Sequence, residues 1–334
     1  MELTFTDANL RDIGLIEPYD GDFAWGNNEN DFSIDVAGDN VPEVGAMIYA
    51  EGSDLGGIVT GYKSDVGAEA FTIIGHTWTG VLNRRVISPD KGQAYLTLKG
   101  DVTDCVAQLI TRARMEELFS VNPARVGINV THTFTGSQSD EQQGTGRYMG
   151  AWAAMWQLLL ATNCKARFLW SDKLKRVVID VMERKAYTDN ESQMVGVAMV
   201  GISTQKTTNH LICLGKGEGA AREVVHLYAN AQGKISQTQT IRGIDEIAET
   251  YSQSSSEGQE LIKNGTKHLN DLWKKSQQVS IKSDSTTAQP FDLGDIIGGT
   301  DPRSKVSAQA VVTKKVASFK QGQMTYSYTS TVRG

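Results

Sequence analysis

Residues Phe71 to Asp90 read FTIIGHTWTGVLNRRVISPD, and the rest of the chain is organised around them. Phe71, Ile73 and Gly75 alternate with Thr72, Ile74 and His76, and β-branched residues are dense, which predicts a strand. The alternation carries on through Trp78 and runs into VLNRRVISP, with Pro89, Asp90 and Gly92 as its stop. The expectation is the last strand of a small barrel followed by an exit arm. Trp78 would then lie beneath the pair Arg84 and Arg85.

Upstream, residues 1–60 form short alternating stretches broken by glycine and asparagine. Phe32, Ile34 and Val36 stand at strict period two, and VGAMIYAEG and GGIVTGYKSD follow Pro42. This is an antiparallel meander, too small to bury both faces unless it closes or packs on a neighbour. Downstream of Gly100 the period changes. Val102, Val106, Leu109, Ile110 and Ala113 share one helical face, with Asp101 or Thr103 as the N-cap. A strand from Arg125 to Thr133 follows, then the polar stretch Gly136–Gly146, read as a mobile loop. A buried helix spans Tyr148–Ala161, and the strands Lys165–Trp170 and Arg176–Met182 form a hairpin turned at Ser171-Asp172-Lys173. Strands resume at about Gln193 and run to Ile241. Residues 244–276 read as helical, with Ile244, Ile247, Ala248 and Tyr251 as one apolar stripe and Leu261, Ile262, Leu269, Leu272 and Trp273 as another.

The far end of the chain echoes its beginning. Gly45-Ala46-Met47-Ile48-Tyr49, Ile58 to Lys63 and Phe71 to Thr77 match, in order and polarity, Gly294 to Gly298, Val311 to Lys315 and Met324 to Thr329. Two readings fit this pattern: duplication of one barrel within the chain, or two unrelated meanders that share a generic alternation.

Composition excludes several classes. The net charge of −6 argues against a dedicated duplex-DNA binder, which would carry a basic patch. The start, MELTFTDANLRD, has acids where a signal peptide has a basic region, so no signal peptide is expected. The Tyr148–Ala161 run falls short of the roughly 18 apolar residues of a membrane span. Cys105, Cys164 and Cys213 are distant in sequence and form no CxxC pair, so reduced core thiols in a reducing cytoplasm are expected.

No motif supplies catalysis. GKGEGAAR (Gly215–Arg222) places Lys216 between glycines with no hydroxyl after it, so it is a turn between strands and not a phosphate loop. His76, His132, His210, His226 and His268 are scattered without the spacing of a zinc site. There is no GxSxG elbow, and Asp20, Asp22, Glu29 and Asp31 lie among turn formers. A carboxylate pair of the glycosidase kind stays open at this stage. Trp152 and Trp156, one helical turn apart, are read as a core stripe, and Trp78 likewise. The expectation is no enzyme, no cofactor and no metal. A carbohydrate-binding adhesin would need exposed aromatics, whereas most here stand at core periodicity.

Four sets of residues carry a family resemblance. They are Thr77-Trp78-Thr79-Gly80-Val81-Leu82 with Arg85, Ile87 and Pro89; the hairpin Phe168–Val181; Asn209 to Glu218 with Arg222; and Asp292 to Gly298. In this order the chain resembles the tail-hub proteins of siphophages, which are related to the central baseplate hub of contractile tails and phage-like injection systems. The resemblance implies a mainly β chain with an α/β insertion (α+β) and two hub-type β-barrel domains. Residues 1–98 would be the first barrel, 99–188 the inserted α/β domain, 189–243 with 280–334 the second barrel, and 244–279 a helical segment. It further implies a homotrimeric ring that adapts a sixfold tail tube to a threefold tip and lets DNA or a tape-measure protein pass without specific binding. The implied partners are the tail tube or distal tail protein, a tip spike or fibre protein and the tape-measure protein, with no membrane-spanning segment. The place would be the virion tail tip, after assembly in the host bacterial cytoplasm. Arg84, Arg85, Lys314 and Lys315 are the expected subunit contacts. The alternative is a tail-tip cell-wall hydrolase.

Overall fold

The structure, a computed structural model, describes residues 2–7, 9–26, 29–36, 41–64, 71–135, 148–187, 197–283, 291–300 and 307–332. The polar stretch Gly136–Gly146 lies outside the described residues. The chain divides into two compact units: residues 1–198, 281–299 and 311–329 form the first, and residues 199–280, 300–310 and 330–334 the second.

The first unit opens with seven strands: β1 (Leu3–Thr6), β2 (Asp12–Ile16), β3 (Pro18–Gly26), β4 (Asp31–Val36), β5 (Met47–Tyr49), β6 (Gly56–Lys63) and β7 (Phe71–Thr77). They pair antiparallel in the spatial order β3-β4-β7-β6-β5-β1-β2, with Ile34 opposite Ile73 and Met47 opposite Ile58. The period-two residues Phe32, Ile34 and Val36 are all buried, and Phe23 stacks on Phe32 with ring centroids 5.0 Å apart.

β7 ends at Thr77, and Trp78–Asn83 is a short helix, α1, not a continuation of the strand. The cause lies outside this stretch. The Asn30 carbonyl accepts from the Thr77 amide at 3.2 Å, and the Asn30 side-chain oxygen accepts from the Thr79 hydroxyl at 2.6 Å. A Cβ on Gly80 would stand 1.9 Å from the Asn30 carbonyl oxygen, so the turn requires glycine there. Trp78 is buried against Trp170, with ring centroids 5.8 Å apart, whereas Arg84 and Arg85 are exposed. The indole is therefore held by a second tryptophan and not by the arginine pair.

The insertion follows as β8 (Val86–Ile87), β9 (Thr97–Asp101), α2 (Val102–Ala113), β10 (Phe119–Val121), β11 (Asn129–Thr133), β12 (Met149–Gly150), α3 (Ala151–Ala161), β13 (Cys164–Ser171), β14 (Arg176–Glu183) and β15 (Ala186–Tyr187). Asp101 caps α2, its carboxylate accepting from the Thr103 amide at 2.9 Å. The helix expected from Tyr148 starts at Ala151, because Met149 and Gly150 pair instead with Ile87 and Val86. The strand expected from Arg125 is confined to β11, which pairs with β9. β13 and β14 form the anticipated hairpin, in register from Cys164 opposite Glu183 to Ser171 opposite Arg176. Trp152 and Trp156 are buried in α3, as their spacing predicts.

The second unit contains most of β16 (Val197–Thr204), β17 (His210–Leu214), β18 (Val224–Ala229), β19 (Ile235–Ser236), β20 (Ala248–Ser252), the helix α4 (Gly258–Ser276) and the first residues of β21 (Gln277–Ser283). Four strands pair in the order β19-β18-β17-β20, and Gly215–Arg222 is the turn between β17 and β18. Leu211, Cys213, Leu227 and Ala229 pack against Leu261 and Leu269 of α4. The helix expected over 244–276 is thus only its second half. Residues 248–252 form a strand because β17 offers its edge as a parallel partner, with Cys213 opposite Tyr251, and only Tyr251 turns toward the core. Among the described residues no helix is long and apolar enough to cross a membrane.

Most of β22 (Ile296–Thr300), β23 (Ser307–Lys320) and β24 (Gln323–Val332) returns to the first unit. β23 extends the sheet path beside β3, with β24 on its other side, and β22 pairs with β23 and, in parallel, with β15. The echo between the two ends holds at the level of single hydrogen bonds. Gly45 donates to the Val59 carbonyl and Val59 to that of Ala46, both at 2.9 Å. Gly294 donates to Val312 and Val312 to Asp295, also both at 2.9 Å. Gly45 (φ +96°) and Gly294 (φ +88°) both take a backbone conformation that disfavours side chains. Among the described residues the strands form an open path and no closed barrel is present.

Candidate functional site

The repeated turn differs at one position. Ala46 fills its first copy with a methyl group, and Asp295 fills the second with a fully buried carboxylate. A buried charge needs a partner. Lys165, whose side chain is 6% exposed, reaches from β13 to within 2.7 Å of Asp295 and 2.9 Å of Asp292. Asp295 also accepts from the amides of Lys185 (3.1 Å) and Asp292 (2.8 Å). Beside it Lys315 pairs with Asp54 and lies 4.4 Å above the Trp25 ring, while Arg167 stands 3.6 Å from Asp292. Three acids meet three bases in this cluster. It borders a cavity of about 20 Å³, room for a single water and for no substrate.

Burial pushes the Asp292 carboxyl up, but Lys165, Lys315 and Arg167 together outweigh it and hold the group below the usual carboxylate range. Burial also pushes Asp295 up, and there it prevails over Lys165 and the Asp292 amide. The two carboxylates therefore act on stability with opposite sign. Asp292, depressed, contributes stability that is present above the unfolded pKa of about 3.9 and is lost as the pH falls through its folded value. Asp295, raised, contributes below that unfolded value and loses its contribution as the pH rises through its folded value. Asp292→Asn is expected to destabilise the chain more at about pH 7 than at about pH 2.5, which lies below the unfolded pKa. Denaturant melts of both proteins at the two pH values check this; an equal loss at both would refute the assignment.

The four basic residues singled out by sequence are separated by the fold. Arg84 caps the end of α1 and is exposed; Arg85 is exposed and its Nε points at the Met115 sulfur, 3.2 Å away. Lys314 pairs with Glu29 at the surface. Lys315, its neighbour on β23, faces the other way and is buried. Its charge is met within the chain, by the Asp54 carboxylate and the Trp25 ring.

Sequence spacing missed one cluster. His210 and His226 are 16 residues apart, but the β17–β18 register sets them diagonally on one sheet face. The ring nitrogens His210 Nε2 and His226 Nδ1 are 2.8 Å apart, and His210 Nδ1 is 2.6 Å from Glu246. Pairing the two strands about the Gly215–Arg222 turn would have exposed this signal. Among the described residues no group of three or more His, Cys, Asp or Glu side chains is placed to hold a metal ion.

The most exposed apolar surface on the sheet of the first unit lies at its end. β2 is the terminal strand of the path, and Ile13 (60% exposed) and Leu15 (53%) point outward from it. An edge with free backbone groups and outward aliphatic side chains is a template for pairing with another chain.

No family model matches the sequence, and no curated protein does either. Solved structures do match. The 43 kDa tail protein of prophage MuSo2 from Shewanella oneidensis aligns at TM-score 0.53 and 9% identity, over 99% of this chain and 97% of that one. The tail protein of Neisseria meningitidis MC58 aligns at 0.51 and 11% identity, over 99% and 96%. A prophage tail protein from Listeria monocytogenes EGD-e aligns at 0.50 and 10% identity, over 99% and 94%. The likeness is one of fold, and it spans almost the whole chain.

Proposed function

We propose that this chain, whose fold is that of phage tail proteins, is a structural hub of a tail tip or baseplate. It forms a trimeric ring that adapts a sixfold tail tube to a threefold tip and leaves a conduit for DNA or the tape-measure protein. Each chain contributes two barrel-type domains, residues 1–98 and 189–243 with 280–334, with 99–188 inserted and 244–279 connecting. The repeated Gly45–Val59 and Gly294–Val312 geometry supports this as a duplication. Tube or distal tail protein on one side, and spike or fibre protein on the other, are the partners; the location is the virion tail tip, reached after assembly in the host cytoplasm. Arg84, Arg85 and Lys314, which reach the surface, serve subunit contacts. A net charge of −6 per chain suits a bore that does not grip passing phosphates. The Asp292–Asp295 pair does not supply the hydrolase alternative with its carboxylates, since Lys165 bonds both of them beside a cavity of only about 20 Å³.

The observation that carries this proposal is the β2 edge. Among the described residues it has a strand on one side alone, and a ring covers the other side with the neighbouring subunit. Light scattering at micromolar concentration is expected to give three times the 36.4 kDa chain mass, alone or with tail partners. The double substitution Ile13→Lys with Leu15→Lys is expected to shift the population to monomer with an unchanged melting profile. A wild-type monomer under every condition, or a trimer indifferent to both lysines, overturns the proposal.

A further inference from the structure

Within the second unit, residues between 205 and 276 line an open cleft of about 590 Å³. That volume lies in the roughly 300–1,000 Å³ range of small-molecule sites. We propose that this cleft binds a saccharide.

The lining has two characters. Trp273, Ile241, Ile247 and Ala231 supply apolar groups, and Gln205, Lys206, Thr207, Asn209, Asp245 and Ser276 supply polar ones. Trp273 is held in place: its indole N–H donates to the Thr208 carbonyl at 3.0 Å, and the Ser276 hydroxyl donates to the Trp273 carbonyl at 2.7 Å. Asn209 is fixed as well, donating to the Asp245 carbonyl (2.7 Å) and accepting from the Ile247 amide (3.0 Å). Lys206 and Asp245 form a 2.6 Å ion pair at the rim, largely exposed to solvent and ready to bond a ligand.

Charge and chemistry narrow the ligand. A phosphate or nucleotide calls for uncompensated positive charge, but the Lys206 charge is balanced by Asp245. A wholly apolar ligand would strip water from the amide, hydroxyl and charged groups without replacing their hydrogen bonds. A peptide added as a strand needs free backbone donors. Here the Gln205 amide donates to Ser276, and the Asn209 and His210 amides both donate to Ile247. A sugar ring presents C–H faces to an indole and aliphatic wall, and hydroxyl edges to amide, carboxylate and ammonium groups. It suits a lining that carries both kinds of group.

This inference goes beyond the hub assignment, and sugar binding is read whatever the oligomeric state, so either can fail without the other. The experiment is ligand-observed saturation-transfer NMR on the full chain with two probes, chitotriose for amino-sugar glycans and maltotriose for neutral hexose glycans. Transfer from the protein to at least one trisaccharide is expected. Asp245→Asn and Lys206→Ala, at exposed positions that leave the fold intact, are each expected to weaken it about tenfold, the scale of one charge-assisted hydrogen bond. Trp273→Phe should weaken it further while circular dichroism stays unchanged. No transfer to either sugar, transfer indifferent to all three substitutions, or binding of inorganic phosphate in place of sugar overturns the proposal.

Discussion

Lys165→Met is expected to destabilise the first unit by about 3–5 kcal/mol, the usual cost of removing one partner from a buried ionic cluster. The substitution keeps the length and apolar stem of the side chain and removes only the charge. Asp295 is fully buried, and its remaining partners are two backbone amides that satisfy hydrogen bonding but not charge. Asp292 keeps Arg167, at the longer distance of 3.6 Å, so the loss is concentrated on Asp295. Denaturant unfolding measures it directly. The double variant Lys165→Met with Asp295→Ala restores at this turn the methyl group that Ala46 supplies in the first copy, and should recover a large part of the loss. A single substitution costing under about 1 kcal/mol would mean that water reaches the cluster.

Trp78→Ala should cost a comparable 3–5 kcal/mol through the cavity it leaves. The indole is 0% exposed, stacked on Trp170, which in turn lies 4.5 Å from the Tyr49 ring, and it packs against Gly56, where a Cβ would approach the ring to 2.7 Å. Removing it opens a void between β6, α1 and β13. Trp78→Phe should be far milder, about 1 kcal/mol, because the indole N–H has no hydrogen-bond partner among the described residues and its loss breaks no bond. Urea melts of the two variants give the comparison. Equal losses for Phe and Ala would show that a smaller ring does not fill the site.

Much of the architecture was legible from local pattern. The period-two run Phe32, Ile34, Val36 can bury one face only as a strand, and the hairpin β13–β14 carries its turn residues between two such runs. Asp101 ahead of an apolar helical stripe marked the start of α2. The echo was readable because Gly45 and Gly294 each stand two residues before a strand, in a turn whose backbone conformation suits glycine. These features depend on neighbours within a few residues, and so composition and spacing determine them.

Other features depended on residues remote in sequence, and only the tertiary structure decided them. Alternation ran unbroken through Trp78, yet the chain turns into α1 there because Asn30, 49 residues before Thr79, takes the hydrogen bonds. The stripe Ile244, Ile247, Ala248, Tyr251 has helical spacing, yet pairing with the edge of β17 holds residues 248–252 as a strand. Lys315 sits beside Lys314 in sequence, but strand alternation turns one outward to Glu29 and the other inward to Trp25 and to Asp54, 261 residues away. His210 and His226 meet only once the β17–β18 register is set. Local pattern specifies which segments can form strands and helices and which faces they bury. The partners of a buried charge, an indole or an edge strand come from distant segments, so their positions are settled only when the chain packs.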